Sequence, residues 1–156
     1  MFVCTNKIIN FVFIMEKCTS KYCSCLYYSS NALARVMTKI AEEEFSVTGL
    51  APSYAFLIMI VNDKPGIQPK EISSQMQLTP STVTRLIEKM EYKGLLIRKS
   101  VGRDTTVFPT TNGVALAPSI KCAWQALFKR YSDLLGEKAG IELAISIHLA
   151  TQKLDE

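Results

Sequence analysis

Hydroxyl and basic side chains follow one another in the middle of the chain, within nine residues. The set is Ser81, Thr82, Thr84, Arg85 and Lys89. Such groups hydrogen-bond to phosphate oxygens and to the edges of nucleic-acid bases. Arg85 has the reach and the forked guanidinium to bond guanine, whereas Lys89 suits a phosphate. These residues therefore predict a surface that reads the major groove of double-stranded DNA.

A helix over 80–93 is predicted to hold this set. Thr79 is a favoured N-cap, Pro80 suits the first helical position, and Gly94 suits the residue after a helix. Apolar residues recur at steps of three and four: Val83, Leu86, Ile87 and Met90. That stripe turns the polar set outward. A polar helix face alone is more often merely solvated, so the neighbouring elements decide its meaning.

Those neighbours form the order of a winged helix-turn-helix. A short helix over 70–76 precedes the polar helix, and a hairpin of 95–99 and 105–109 follows it. The basic tip of the hairpin, at Arg103, suits a minor groove. At the base of this wing, Arg98 and Lys99 are predicted to face the DNA backbone.

Basic charge is concentrated in the same region. The net charge of the chain is +4. Residues 63–103 hold eight basic and four acidic residues, and eight minus four gives +4, so this segment carries the whole net charge. The basic residues are Lys64, Lys70, Arg85, Lys89, Lys93, Arg98, Lys99 and Arg103. Together with the order of the elements, this charge favours DNA binding.

The stretch 72–96, ISSQMQLTPSTVTRLIEKMEYKGLL, resembles the helix-turn-helix of the MarR family of bacterial transcription regulators. Gly102-Arg103 followed by 107–113 is similar to that family's wing and the helix after it. Arg103 matches the wing arginine of the family. Val101 departs from the pattern, because family wings often carry an acid there.

The resemblance, which spans about 22–154, implies a mainly α (α+β) fold. This is a winged helix-turn-helix whose long N- and C-terminal helices form a dimerisation region. It further implies a cytoplasmic homodimer that binds a palindromic operator, most often as a repressor. A small-molecule effector or a redox signal would release the DNA.

Four segments are expected from the punctuation of the chain. They are a leader or disordered arm over 1–20, with Met15 as an alternative start; a dimerisation helix over 21–48; a DNA-binding lobe over 49–111; and C-terminal dimerisation helices over 112–156. In the last segment, Thr111 is predicted to cap a long helix that Pro118 kinks. The apolar stripes of the terminal helices exceed what one small lobe can bury, which favours a dimer over a monomeric bundle. The apolar run 8–14 is too short to span a membrane.

The cysteines leave three interpretations open. Five cysteines without regular spacing argue against a disulfide framework and fit a reducing compartment. Cys18, Cys23 and Cys25 are either small buried apolar groups at a dimer interface, a redox switch, or metal ligands that lack a nearby fourth partner. Cys23 stands close to the sequence position at which the hydroperoxide-sensing branch of the family has its reactive cysteine. Met37 and Ala51 stand about where that branch has its supporting tyrosines.

A rival function from another class is a winged-helix module that binds proteins and has no DNA role. Exposed Arg85, Lys89 and Arg103 on one face would favour DNA, whereas an apolar patch there would favour a protein partner. An enzyme is not expected, because the chain has one histidine and shows neither a nucleophile–base arrangement nor a glycine-rich phosphate loop. No metal and no cofactor are expected.

Overall fold

Helices make up most of the chain, and a computed structural model describes residues 20–101 and 104–155, with the side chain of Val101 excepted. Among the described residues, those up to Ile40 and those from Ala41 onward belong to two compact units. Nearly all of the predicted 1–20 arm, with the alternative start at Met15, lies outside the described residues.

In chain order the elements are α1 (Leu26–Phe45), a 3₁₀ turn (Ser46–Thr48), α2 (Pro52–Asp63), α3 (Pro69–Met76), α4 (Pro80–Tyr92), β1 (Leu96–Val101), β2 (Asp104–Pro109), α5 (Thr111–Ala115), α6 (Ala117–Leu135) and α7 (Glu137–Leu154). The predicted mainly α winged helix-turn-helix is therefore confirmed. In the described part of the chain, no single helix is long and apolar enough to cross a membrane; α1 with the 3₁₀ turn and α2 would meet that test only as a bent pair.

The first unit contains a turn and most of α1. The sequence predicts a helix from residue 21, but α1 begins at Leu26. The backbone N–H of Tyr22 donates to the hydroxyl of Ser20 at 3.2 Å, and Cys25 N–H donates to the Tyr22 carbonyl at 2.9 Å. These local bonds hold a turn where the helix was expected, because a serine side chain offers the backbone an alternative partner.

The core of the second unit lies under α4. Val83, Ile87 and Met90 of α4 are fully buried, and Leu86 is half-buried. Their partners come from the surrounding elements: Leu57, Ile58, Val61, Ile67, Ile72, Leu96 and Val107 are also buried. The predicted apolar stripe is therefore the core face of α4, and its position turns the opposite face toward solvent.

The wing is a two-stranded antiparallel hairpin, as predicted. Its register runs from the Leu96–Pro109 pair to the Val101–Asp104 pair. A bridge between Ile67 and Val107 adds a short third segment to the sheet. Val107 N–H donates to the carbonyl of Ile67 at 2.9 Å, so the backbone before α3 fixes the base of the wing.

The helix after the wing differs from its prediction in two ways. Its N-cap is Thr110 rather than Thr111, and the Thr110 hydroxyl accepts from Gly113 N–H at 3.1 Å. The same hydroxyl donates to the carbonyl of Gly94 at 2.7 Å, which explains why the cap falls at residue 110. The expected single kinked helix is two helices, since Pro118 takes the first turn of α6 where its missing N–H is harmless.

Helices α6 and α7 form the C-terminal hairpin. Gly136 joins them with φ +84°, a conformation that favours glycine. Arg130 of α6 pairs with Glu43 at 2.7 Å and Glu44 at 2.8 Å, which ties α6 to the end of α1. In α7, Gly140 is the one residue that is buried among those the structure describes.

Candidate nucleic-acid interface

The exposed start of α4 is a cluster of three hydroxyls. The Thr79 hydroxyl oxygen accepts from the backbone N–H of Thr82 at 3.4 Å, which is the predicted N-cap. The hydroxyls of Ser81 and Thr82 lie 3.1 Å and 2.9 Å from the same Thr79 oxygen. Small polar groups around a helix N-terminus allow close approach to an anionic partner and satisfy it with donors.

Thr84 is exposed two positions after Thr82, but the proton of its hydroxyl is already used. It donates to the carbonyl of Pro80 at 2.9 Å. The Thr84 oxygen therefore retains its lone pairs and presents an acceptor, not a donor, to a ligand.

Arg85 is exposed on the same face, one turn after Ser81. Among the described residues, no side chain forms a hydrogen bond or an ion pair with its guanidinium. All five N–H donors of the fork are thus available to an outside partner, and the geometry suits a bidentate acceptor.

Two of the lysines that are predicted to contact DNA lie over aromatic rings. The ammonium of Lys89 is 5.1 Å from the centroid of Tyr54, and that of Lys99 is 4.7 Å from the centroid of Phe108. Such contacts orient a lysine without neutralising its charge. Both lysines stay exposed, so each ring sets the direction from which its ammonium can meet a phosphate.

Arg98 has a different environment from the one predicted. The sequence places it against the DNA backbone, but its Nε donates to Glu91 at 2.7 Å. Its Nη1 also lies 3.9 Å from Glu88. The guanidinium is thus matched by two carboxylates of α4.

The remaining predicted site residues are Arg103 and the cysteines near the N-terminus. Arg103, the proposed minor-groove contact, and Cys18 lie outside the described residues. Cys25 is a free and exposed thiol, whereas Cys23 is disulfide-bonded. Peroxide sensing by Cys23 would therefore have to start from its reduced form.

One more ion pair lies at the edge of this surface. Lys64 hydrogen-bonds to Glu71, and this bond lowers the pKa of the Glu71 carboxyl. The charge of Lys64 is thus balanced locally, although the sequence counts it with the basic cluster. Lys70, by contrast, is exposed at the start of α3.

A cleft of about 1100 Å³ separates the helix-turn-helix from the end of α7. Ser74 and Thr79 line one side, and Thr151 and Asp155 line the other. Next to it, Gln77 Nε2 lies 3.1 Å from Nδ1 of His148. Gln77 occupies the left-handed turn between α3 and α4 with φ +52°.

The sequence does not single out Glu91, Tyr54 or Gln77. Their roles depend on tertiary placement, which a local pattern does not carry. For Glu91 alone the sequence offered a signal, namely an acidic residue within a basic segment. An acid near a surface that binds DNA is unfavourable unless a cation pairs with it.

Residues 51–104, which span α2 to the start of β2, match the model of the MarR family. They are a MarR-family domain. The predicted family resemblance is therefore confirmed, and the exposed α4 face belongs to the helix-turn-helix of this MarR domain.

Relatives extend the likeness beyond the MarR domain. The HTH-type transcriptional repressor MdtR of Bacillus subtilis (strain 168) is 23% identical over 131 residues, which is 82% of this chain and 84% of MdtR. The S. aureus MepR–DNA complex superposes with a TM-score of 0.72 at 17% identity, over 83% of this chain and 97% of that one. CouR from Rhodococcus jostii RHA1, bound to p-coumaroyl-CoA, gives 0.69 at 18% identity, over 82% and 93% of the two chains.

Proposed function

We propose that the chain is a transcriptional regulator, acting as a repressor, that binds a specific palindromic site in double-stranded DNA. The observation that carries this proposal is the exposed face of α4, where Arg85 has no partner among the described residues and stands beside a cluster of hydroxyls. The MarR-family match of residues 51–104 supports it. So do MdtR, which is a repressor, and MepR, which forms a DNA complex.

Each side chain has a role that follows from its contacts. Arg85 bonds a guanine in the major groove, since its fork is free. Ser81 and Thr82 hydrogen-bond to phosphates or base edges at the helix start. Thr84 accepts from a base amino group, because its own proton is used within the helix.

The remaining cations act on the DNA backbone and the minor groove. Lys89 and Lys99 meet phosphates from the directions that their aromatic rings set. Arg103 enters the minor groove, an assignment that rests on the basic hairpin tip and on the match to the wing arginine of the family. Arg98 is not assigned to a phosphate, because its charge is already paired with that of Glu91.

A homodimer is the proposed assembly. Helix α7 presents apolar side chains that its own chain leaves uncovered: Ile145 is 54% exposed and Leu149 is 52% exposed. Ile141, one turn earlier on the same face, is exposed as well. An apolar stripe of this kind marks an interface, and two copies related by a two-fold axis would read a palindrome.

A small-molecule signal is proposed to control DNA release in the cytoplasm. One candidate place for the effector is the cleft at the end of α7, because it borders Thr79, the residue that caps α4. A molecule bound there would contact the start of the DNA-reading helix. CouR with bound p-coumaroyl-CoA provides the precedent of a fold neighbour that binds a small molecule.

The test compares Arg85→Ala with a control that removes an equal charge just after the end of α4, Lys93→Ala. The wild-type protein first selects a duplex from a random DNA pool, and affinities for that duplex follow by gel shift over a salt series. Arg85→Ala is expected to weaken binding by about 1–3 kcal/mol and to relax the base preference at one position. Lys93→Ala is expected to weaken all sequences alike and slightly.

Two results would contradict the proposal. If the wild-type protein selects no duplex, DNA binding is wrong and the protein-binding module becomes the better hypothesis. If Arg85→Ala binds the selected duplex as tightly as the wild type, Arg85 has no part in base reading.

A further inference from the structure

Glu91 binds both the side chain and the backbone of Arg98. One carboxylate oxygen accepts from Arg98 Nε at 2.7 Å, and the other accepts from the Arg98 backbone N–H at 2.7 Å. Glu91 belongs to the last turn of α4, and Arg98 is the third residue of β1. A single side chain of the DNA-reading helix thus bonds a wing strand at two points.

The surroundings of this contact favour a fixed geometry. The Glu91 side chain is 25% exposed and that of Arg98 is 34% exposed, so both are partly shielded from solvent. Two hydrogen bonds to one carboxylate restrict its orientation more than a single surface ion pair does. Between them the chain turns at Gly94, with φ +69°, a residue that by itself leaves the backbone free to pivot.

The charge of Arg98 is also accounted for by this contact. The guanidinium faces the carboxylate of Glu91 and lies 3.9 Å from that of Glu88. A cation that is already paired with a carboxylate releases few counterions from DNA, because the carboxylate neutralises most of its charge. A role for Arg98 as a phosphate contact is therefore less well supported than a role in holding the wing.

We propose that Glu91 is a positioning residue for DNA binding. Through Arg98 it sets the angle at which the wing leaves α4, and so the spacing at which helix and wing reach adjacent grooves. The proposal rests on the DNA-binding function proposed above.

The sign of the effect separates positioning from simple electrostatics. Removing a carboxylate near DNA strengthens binding when charge alone matters, since the carboxylate repels phosphates. If Glu91 positions the wing, Glu91→Gln and Glu91→Ala weaken binding to the selected duplex, by about tenfold for the loss of a charged hydrogen-bond pair. The matched control is Glu88→Gln, which removes an equal charge 3.9 Å from the Arg98 guanidinium but leaves both Glu91–Arg98 hydrogen bonds in place. It is expected to leave affinity equal or slightly tighter.

A second measurement follows the wing itself. Hydroxyl-radical footprinting of Glu91→Ala is expected to show weaker protection at the flanking minor grooves and unchanged protection at the central major grooves. The exchange Glu91→Arg with Arg98→Glu restores the ion pair but not the bond to the backbone N–H of residue 98, because arginine has no acceptor. It is expected to recover part of the affinity and of the flanking protection, which a general loss of folding would not allow. Thermal unfolding of each variant confirms that the protein is folded.

The outcomes also distinguish this inference from the function on which it rests. If the wild-type protein selects a duplex and Glu91→Gln binds it at least as tightly as Glu88→Gln does, positioning by Glu91 is wrong. If Arg98→Ala lowers the slope of affinity against salt by about one, Arg98 is a phosphate contact and the proposal is again wrong. Absence of any selected duplex overturns the proposed function, and the inference with it.

Discussion

The winged lobe, residues 49–111, and helix α7 differ in whether their apolar residues are buried. In the lobe, Val83, Ile87 and Met90 are covered by neighbouring elements of the same chain. In α7, most of the apolar side chains face outward, and Leu154 is 76% exposed. The lobe therefore buries its apolar residues within its own chain, whereas α7 is as apolar as a core helix but leaves most of its apolar side chains exposed. The difference supports the proposal that the self-contained part reads DNA and that the uncovered part forms the interface.

The largest effect is expected when a charge is placed on the uncovered part. Ile145→Asp puts a carboxylate in the proposed interface and should give a monomer by light scattering at micromolar concentration. Because two lobes on one duplex bind with high effective concentration, affinity for a palindromic site should fall by about 100-fold or more. Ser146→Asp adds the same charge at the next, polar position and should be milder. If Ile145→Asp remains dimeric, the exposed apolar face of α7 is not the interface and its contrast with the lobe has no bearing on assembly.

In the self-contained part, the expected effect is on stability rather than on assembly. Ile87→Ala removes a side chain that is 1% exposed and leaves a cavity under α4. The free energy of unfolding should fall by about 2–5 kcal/mol, measured by denaturant titration. Tyr92→Ala, at a position that is 94% exposed on the same helix, should change it by less than about 0.5 kcal/mol. Equal effects at the two positions would mean that the lobe does not rely on this core.

The smallest effect concerns the ion pair at the edge of the lobe. The hydrogen bond from Lys64 lowers the pKa of Glu71 in the folded state. The stabilisation is therefore present above the pKa of the unfolded state and is lost as the pH falls through the folded-state pKa. In Lys64→Ala the Glu71 pKa should rise toward its usual value in an NMR titration, while Lys70→Ala should leave it unchanged. A Glu71 pKa that does not respond to Lys64→Ala would show that another group lowers it.

The sequence predicts the helix-turn-helix closely because its signals are local. The expected helices over 70–76 and 80–93 end within one residue of α3 and α4. Proline at the start and an apolar stripe are enough to place them. The last of the helices expected in the C-terminal segment is α7, which begins directly after Gly136.

The partners of the charged residues were not predictable in this way. Arg98 and Glu91 are seven residues apart, and they meet only because the chain reverses at Gly94. Lys89 and Tyr54 come from different helices and meet only after the lobe has packed. Sequence reasoning therefore identifies which residues are exposed on α4, and leaves open which of the basic side chains are already occupied.

Gly113 has a consequence for how this chain can vary. A Cβ added there would collide with the carbonyl oxygen of Leu95, a backbone atom with no freedom to move aside. Thr110 N–H donates to that same carbonyl at 3.0 Å, so the contact lies in the seam that joins α5 to the root of the wing. Random mutagenesis should therefore find almost no tolerated replacement of Gly113, although it belongs to neither of the two elements proposed to enter the grooves.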